Sequence, residues 1–369
     1  MTSAASPHLD RAIDLLRRLI ATPSPSRSED ATADILQQWL FDSGIKGVER
    51  LHNNVFAVAP GFDPTRPTLL LNSHHDTVKP SPAYTRDPYE PTIEGDRLYG
   101  LGSNDAGGSC VALACTFVDL YRRSDLPFNI ILALTAAEEV MAPEGMRAML
   151  PCLTERGMRP DMAIVGEPTG MMPAVGERGL LVLDGVVEGK AGHAARNEGV
   201  NAIYRAIADI ERLRRWEPDQ CSVLLGQIKV SVTMIEAGTQ HNVVPALCKY
   251  VVDVRTTDAY TNEQTVELLR QAVDYSTLTP RSTHIQASAI AESHPLVKAA
   301  TDLGLKPFVS PTTSDMALLH GIPSLKIGPG DSSRSHSADE YILLSELNSA
   351  LLTYPKLIGL LAKHLSNNG

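Results

Sequence analysis

Leu69-Leu70-Leu71-Asn72-Ser73-His74-His75-Asp76 is an apolar run that ends abruptly in two imidazoles and a carboxylate. A buried parallel strand has this pattern when its C-terminal end opens into a crevice. Residues two apart on an extended chain share a face, so His74 and Asp76 point one way and His75 the other. A carboxylate beside a histidine suits a metal ligand and the group that fixes its orientation, although a solvated strand end can carry the same triplet. Three later runs end alike. Phe128–Leu134 leads into Thr135-Ala-Ala-Glu138-Glu139, Met162–Val165 into Gly166-Glu167-Pro168-Thr169, and Pro323–Ile327, through Gly328-Pro-Gly330, into Ser335-His336-Ser337. Adjacent carboxylates at the end of a buried strand are costly unless each finds a cationic partner.

The stretches between these runs complete an α/β fold class, a mixed central sheet flanked by helices. Residues 8–20 set Leu9, Ile13, Leu16 and Ile20 at helical spacing, and a second helix runs from about Glu29 to Ser43 with Ile35, Leu36, Trp39 and Leu40 inward. Val55–Pro60 and Thr68–Asn72 read as strands, and a last helix covers about 345–365. From Lys79 to about Leu98 runs a Pro-rich loop of a length that is usually functional or disordered. It leads into Leu98-Tyr-Gly100-Leu-Gly102-Ser-Asn-Asp105-Ala-Gly107-Gly108, which resembles a dinucleotide loop only superficially. Counted from Gly100, the third glycine of GxGxxG would fall at Asp105, where a carboxylate repels a pyrophosphate. The plain alternative is a glycine-rich turn capped by Asp105 before a helix over 109–122.

The middle of the chain changes character. Leu180–Glu188, Asn201–Arg215, Gln227–Glu236, Leu247–Thr256, Asn262–Asp274 and His284–Ala289 read strand, helix, strand, strand, helix, strand. This is the order of a ferredoxin-like sandwich. The strand-end pattern resumes after it, so the expected organisation is a catalytic domain over 1–178 and 290–369 with an inserted domain over 179–289. A length of 369 residues also exceeds one comfortable core.

Composition narrows the partners. Hydrophobic content of 43% and charged content of 21% are those of an ordinary soluble protein. A net charge of −10 argues against nucleic acid or an anionic membrane as the main partner. Cys110, Cys115, Cys152, Cys221 and Cys248 form no CxxC pair, which fits reduced thiols in a cytosol. The N-terminus lacks an apolar secretory core, and no apolar run approaches the roughly 18–20 residues that span a bilayer. A cytoplasmic location and a small-molecule partner are expected.

The strand-end groups His74, Asp76, Asp105, Glu138, Glu139, Glu167 and His336 can converge on one crevice. Two histidines with several carboxylates form a ligand set suited to zinc, cobalt or manganese, and two ions could share a bridging carboxylate. Ser73-His-His-Asp-Thr-Val78, Tyr99-Gly-Leu-Gly-Ser-Asn-Asp105, Glu138-Glu139, Gly166-Glu-Pro-Thr169 and His336-Ser-Ala-Asp-Glu-Tyr341 resemble, in order, the motifs of the M20 metallopeptidases. Thr85-Arg-Asp-Pro-Tyr89, Leu98–Gly102, Gly199-Val-Asn-Ala-Ile203 and Ile327-Gly-Pro-Gly330 are similar to the acetylornithine deacetylase branch.

The resemblance implies that His74 and Glu167 bind one divalent ion, zinc or cobalt, and Glu139 and His336 the other. It implies that Asp105 bridges the two and that Asp76 orients His74. Glu138 would be the general base. His193, in Lys190-Ala-Gly-His193-Ala-Ala, would stabilise the transition state, often from a homodimer partner's lid domain. Asn242 and Arg255 would bind the substrate carboxylate, with Thr313-Ser-Asp315 adding contacts; for Arg255 a surface ion pair is the plain alternative.

The implied activity is removal of the acetyl group from acetylornithine in arginine biosynthesis. The alternatives are a desuccinylase acting on succinyl-citrulline, succinyl-ornithine or succinyl-diaminopimelate, or another M20 dipeptidase or aminoacylase. A non-enzymatic metal protein is disfavoured, because structural zinc sites are closed and cysteine-rich. Three positions depart from the family pattern: Ser73 replaces a common glycine, His75 stands at a variable position, and Gly107 replaces a lysine.

Overall fold

Thr68–His74 is buried at every one of its seven positions and so is Asn129–Thr135. The two lie parallel, Leu70 against Ile131 and His74 against Thr135. Strands covered on both faces read as continuous apolar runs, which is why both runs are so uniformly hydrophobic. The computed structural model describes residues 5–196 and 198–367. It divides into two compact units, Met1–Val175 with Ile290–Phe308 and Ser314–Gly369, and Gly176–Ala289 with Val309–Thr313.

In the first unit the central sheet is mixed. Its strands run in the order Glu49–Leu51, Asn54–Val58, Asn129–Thr135, Thr68–His74, Met162–Val165, Ser324–Lys326 and the segment from Ala174. Thr68–His74, Asn129–Thr135, Met162–Val165 and Ser324–Lys326 are mutually parallel, so their C-terminal ends share one edge of the sheet. Asn54–Val58 is antiparallel to Asn129–Thr135. Strand alternation assigns the faces. Leu70, Ile131, Ala133, Ala163 and Val165 pack under helix Met146–Glu155 and the turn Asp315–Leu318, through Met146, Met149, Leu153 and Met316. Asn72, His74 and Thr135 continue that same face towards the strand ends.

The Pro-rich stretch after Lys79 is more ordered than its composition suggests. It ends in two short strands, Ile93–Glu94 and Arg97–Tyr99, which form a three-stranded sheet with Tyr341–Leu343. Tyr99 pairs with Tyr341, which brings the segment after His336 beside the glycine-rich loop.

In the second unit, strands Gly179–Glu188, Lys229–Ala237, Leu247–Thr256 and Ser276–Pro280 form one antiparallel sheet, in the order Lys229–Ala237, Leu247–Thr256, Gly179–Glu188, Ser276–Pro280. Helices Ala202–Arg215 and Asn262–Gln271 complete a split β-α-β arrangement. Their inward residues Ala206, Leu213, Val266 and Leu269 pack with Leu183, Val187, Val252 and Val254. The last strand lies at Ser276–Pro280, not at 284–289 as its apolar residues suggest. Only Leu278 of this strand enters the core, while Thr277 and Thr279 face outward. A short edge strand needs a single apolar anchor, which a search for apolar runs overlooks. Among the described residues no helix is long and apolar enough to cross a membrane.

Asp209 fixes that strand. It is fully buried and accepts from the backbone N–H groups of Asp274, Tyr275 and Ser276 at 3.0, 2.9 and 2.7 Å and from the Ser276 hydroxyl at 2.7 Å. Asp209→Ala strips these donors of their acceptor, and breaking a buried charged network of this kind costs about 3–5 kcal/mol. Unfolding of the variant in urea is expected to show a loss of about 3–5 kcal/mol. A loss below about 1 kcal/mol would mean that the strand needs no such anchor.

Candidate metal centre

The shared C-terminal edge of the parallel strands gathers the chemistry. His74 ends its own strand, Glu138 and Glu139 follow Thr135, Glu167 follows Val165, and His336 follows Ser324–Lys326 after a turn. Asp105 comes from the glycine-rich loop. The plain alternative, that Asp105 caps the next helix, does not hold: helix Gly108–Leu120 has no side-chain cap, and the Asp105 carboxylate points at the histidines. Its Oδ1 lies 3.3 Å from His74 Nε2 and its Oδ2 3.6 Å from His336 Nε2. His336 Nε2 is also 2.9 Å from Glu139 Oε2. His74 Nε2 lies 3.9 Å from Glu138 Oε2 and 3.8 Å from Glu167 Oε1. His74, Asp105 and Glu139 each offer a ligand atom, all within 4.8 Å of one another.

The loops that carry these side chains are held through their backbones. Asp76 is fully buried and accepts from Glu138 N at 3.0 Å, Glu139 N at 3.2 Å and the Ser26 hydroxyl at 2.7 Å. Its Oδ1 lies 3.4 Å from His74 Nδ1, whose own partner at 3.0 Å is the Asp76 carbonyl. The two preceding N–H groups are also engaged, Ala136 by Asn54 Oδ1 at 3.0 Å and Ala137 by Glu29 Oε1 at 3.1 Å. The buried Glu340 carboxylate does the same for the glycine-rich loop, accepting from Gly102, Asn104 and Asp105 N–H groups at 3.1, 2.8 and 2.9 Å. Sequence reasoning passed over Glu29, Asn54 and Glu340 as site residues; the spacing of Glu340 four residues after His336 was the available signal for one of them. Asp315, expected with Thr313 among added substrate contacts, is buried and accepts from Thr135 Oγ1 at 2.7 Å and Asn72 Nδ2 at 3.3 Å, beneath the strand ends.

His75 turns away, as alternation requires. Its Nε2 lies 2.9 Å from the Asn53 carbonyl and its Nδ1 3.0 Å from Thr32 Oγ1, and burial pushes its imidazole down to about 4. The Gly107 departure has a steric cause. A Cβ there would stand 2.3 Å from the Gly102 carbonyl oxygen, so no side chain, lysine included, fits this loop.

The electrostatics of the cluster call for positive charge. Burial alone would lower His74, but Asp105 and Asp76 outweigh it and hold the imidazole well above its ordinary value. The Glu139 carboxylate raises His336 to about 9. Burial lifts Glu167 to about 8 and pushes Glu138 well above the carboxylate range, with neighbouring carboxylates adding to both. Glu138 and Glu167 are thus pushed towards the protonated form and the two imidazoles towards the charged form, as a carboxylate-rich cluster without other cations requires. Two divalent ions fit this donor set, which combines imidazole nitrogens with carboxylate oxygens and contains no thiolate.

The remaining candidates belong to the second unit. His193 stands on a two-residue strand paired with Val243–Val244, and the carbonyl of Asn242 accepts from Ala194 N–H at 3.1 Å, so these two are neighbours. Both are exposed. Arg255, also exposed, forks onto Asp253 at 2.8 and 3.1 Å, the ion pair an arginine at a strand end ordinarily makes. Thr313 is half-buried just before the turn at Asp315–Leu318.

Known proteins share this chain from end to end. It is 27% identical to a succinyl-diaminopimelate desuccinylase of Erythrobacter litoralis over 95% of this chain and 98% of that one. Several further relatives carry the same name. It is 29% identical to an acetylornithine deacetylase of Shigella sonnei, over 89% and 92%. The fold matches that of YXEP from Bacillus subtilis, described as a dinuclear metal binding peptidase, with a TM-score of 0.72 at 18% identity over 95% of this chain and 97% of that one. The model of peptidase family M20/M25/M40 matches residues 70–359, and with the two-histidine, carboxylate-rich centre on the strand ends, the chain belongs to that family.

Proposed function

We propose that this chain hydrolyses the amide bond of an N-acyl amino acid in a two-metal site, with a succinyl group as the acyl portion. The observation that carries the hydrolytic reading is the placement of Asp105, one oxygen towards His74 and the other towards His336. A carboxylate so divided suits a bridge, with His74 and Glu167 on one side and Glu139 and His336 on the other. Zinc or cobalt bound there would polarise the scissile carbonyl and acidify water.

Glu138 acts as general base. It stands at the rim of the cluster, 3.9 Å from His74 Nε2 and 7% exposed, and its neighbour Glu139 is engaged with His336. Its carboxylate takes a proton from the attacking water as oxygen adds to the carbonyl carbon. It then returns that proton to the nitrogen as the C–N bond breaks, releasing a carboxylic acid and a free amine. Asp76 and Glu340 keep the reacting loops in place. His193 as a transition-state stabiliser, Asn242, Arg255 and Thr313 as substrate contacts, and a homodimer through the second unit complete the proposal by resemblance.

The desuccinylase relatives support a succinyl substrate, succinyl-diaminopimelate first, over the acetylornithine that the motifs suggest. The 29% identical deacetylase keeps acetylornithine as the second reading. Amine release from the two substrates, measured side by side on zinc- or cobalt-loaded protein, is expected to be faster for the succinyl compound. Faster acetylornithine cleavage would reassign the acyl pocket and leave the metal chemistry standing. A chelator should abolish both activities, and added zinc or cobalt should restore them; activity that survives complete metal removal would sink the metal reading.

Glu138→Ala tests the base. Loss of a general base costs about 10²–10⁴-fold in rate. The variant is expected to lose kcat by that amount while calorimetry still finds about two ions per chain. Retained turnover would exclude Glu138 from the proton transfers.

A further inference from the structure

We propose that Glu29 is a positioning residue that sets the conformation of the loop presenting Glu138 and Glu139. Glu29 is 1% exposed and precedes helix Asp30–Asp42 at its N-cap position. An N-cap side chain ordinarily accepts from the first turn of its own helix. Glu29 makes no such bond. Its Oε1 instead accepts from Arg27 N at 2.6 Å and Ala137 N at 3.1 Å, and its Oε2 from Asn53 Nδ2 at 2.9 Å.

Ala137 is the place where the loop needs such a hold. Its φ of 56° lies in the left-handed region, which is strained for a residue with a Cβ. Its N–H is buried with the rest of the residue, 2% exposed. Asn54, Glu29 and the two oxygens of Asp76 together satisfy the four successive N–H groups of Ala136 through Glu139. Asp76 holds the Glu138 and Glu139 amides, and Glu29 holds the turn that leads into them. Without Glu29 the Ala137 amide loses its acceptor and the left-handed turn has one fewer constraint. The carboxylates of Glu138 and Glu139 then shift relative to His74 and Asp105. Glu29 touches none of the ligand side chains, so its effect passes through the backbone.

The surroundings of Glu29 allow a direct test. It lines a surface cavity of about 660 Å³ together with Arg27, Asp30, Arg50, His52, Asn53, Ala136, Ala137 and Glu144, and none of the proposed metal-binding side chains lines it. In Glu29→Ala a small carboxylate such as formate can enter this cavity and accept from the N–H groups of Arg27 and Ala137 and the Asn53 amide that Glu29 leaves free.

The proposal rests on the roles given above to Glu138 and Glu139. Glu29→Ala is expected to lower kcat about 10–100-fold, the effect typical of groups that orient metal ligands, with KM within about threefold. Formate at high millimolar concentration should recover a tenfold or larger part of that loss. The visible spectrum of the cobalt-loaded variant should differ from wild type and move back towards it with formate. Glu29→Asp keeps the charge but withdraws the carboxylate from Ala137 N. It should lower kcat about tenfold without a change in KM, and it serves if the alanine variant does not fold.

Wild-type kcat in either variant, a cobalt spectrum superimposable on wild type, or a loss that formate leaves untouched overturns the proposal. Wild-type protein that cleaves no N-acyl amino acid would count against the proposed function alone. The cobalt spectra of the variants would then decide the role of Glu29.

Discussion

One carboxylate ties the centre to the fold. Asp76 lies two residues beyond His74 on the same face of the chain, and it meets His74, the backbone of Glu138 and Glu139, and the hydroxyl of Ser26. These groups come from the first core strand, the loop after the second, and the segment between the first two helices. A buried carboxylate is tolerated only where donors surround it, and Asp76 has them on every side. Removing its charge would therefore disturb three parts of the chain together.

The same economy recurs around the centre. Glu29 and Glu340 are also buried carboxylates that spend their oxygens on backbone N–H groups of loops that carry ligands. Backbone amides carry no net charge and cannot leave the site by rotation of a side chain. They occupy the oxygens of these carboxylates, whereas Asp105, Glu138, Glu139 and Glu167 lie around two imidazoles at the centre. Burial raises Glu340 and Glu167 alike to about 8, so backbone donors do not by themselves offset the desolvation of a buried acid.

The placement of His74, Glu138, Glu139 and Glu167 was legible in the sequence because each follows an apolar run long enough to be a buried strand, and parallel strands end on one edge. His75 was legible through alternation alone. The supporting residues left no such mark. Glu29 precedes an ordinary amphipathic helix, and Asn54 opens a short strand; their partners are backbone amides, which no pattern of side chains reveals. Gly107 was visible as a departure, but its cause, a carbonyl oxygen 2.3 Å from any added Cβ, exists only in the folded loop. Ser276–Pro280 was missed because a single leucine anchors it, whereas His284–Ala289 offered more apolar residues and contributes only the two-residue strand Ser288–Ala289.

The small sheet that pairs Tyr99 with Tyr341 has a consequence for the order in which the centre can form. His74, Asp105, Glu138, Glu139 and Glu167 all precede the inserted unit in the chain, whereas His336 and Glu340 follow it. A nascent chain therefore carries most of the acidic ligands with one imidazole, and its glycine-rich loop lacks the carboxylate that later fixes it. The finished centre closes only when the C-terminal strand docks. A truncation that reaches His336 would leave the acidic groups with one of the two imidazoles and the glycine-rich loop without Glu340.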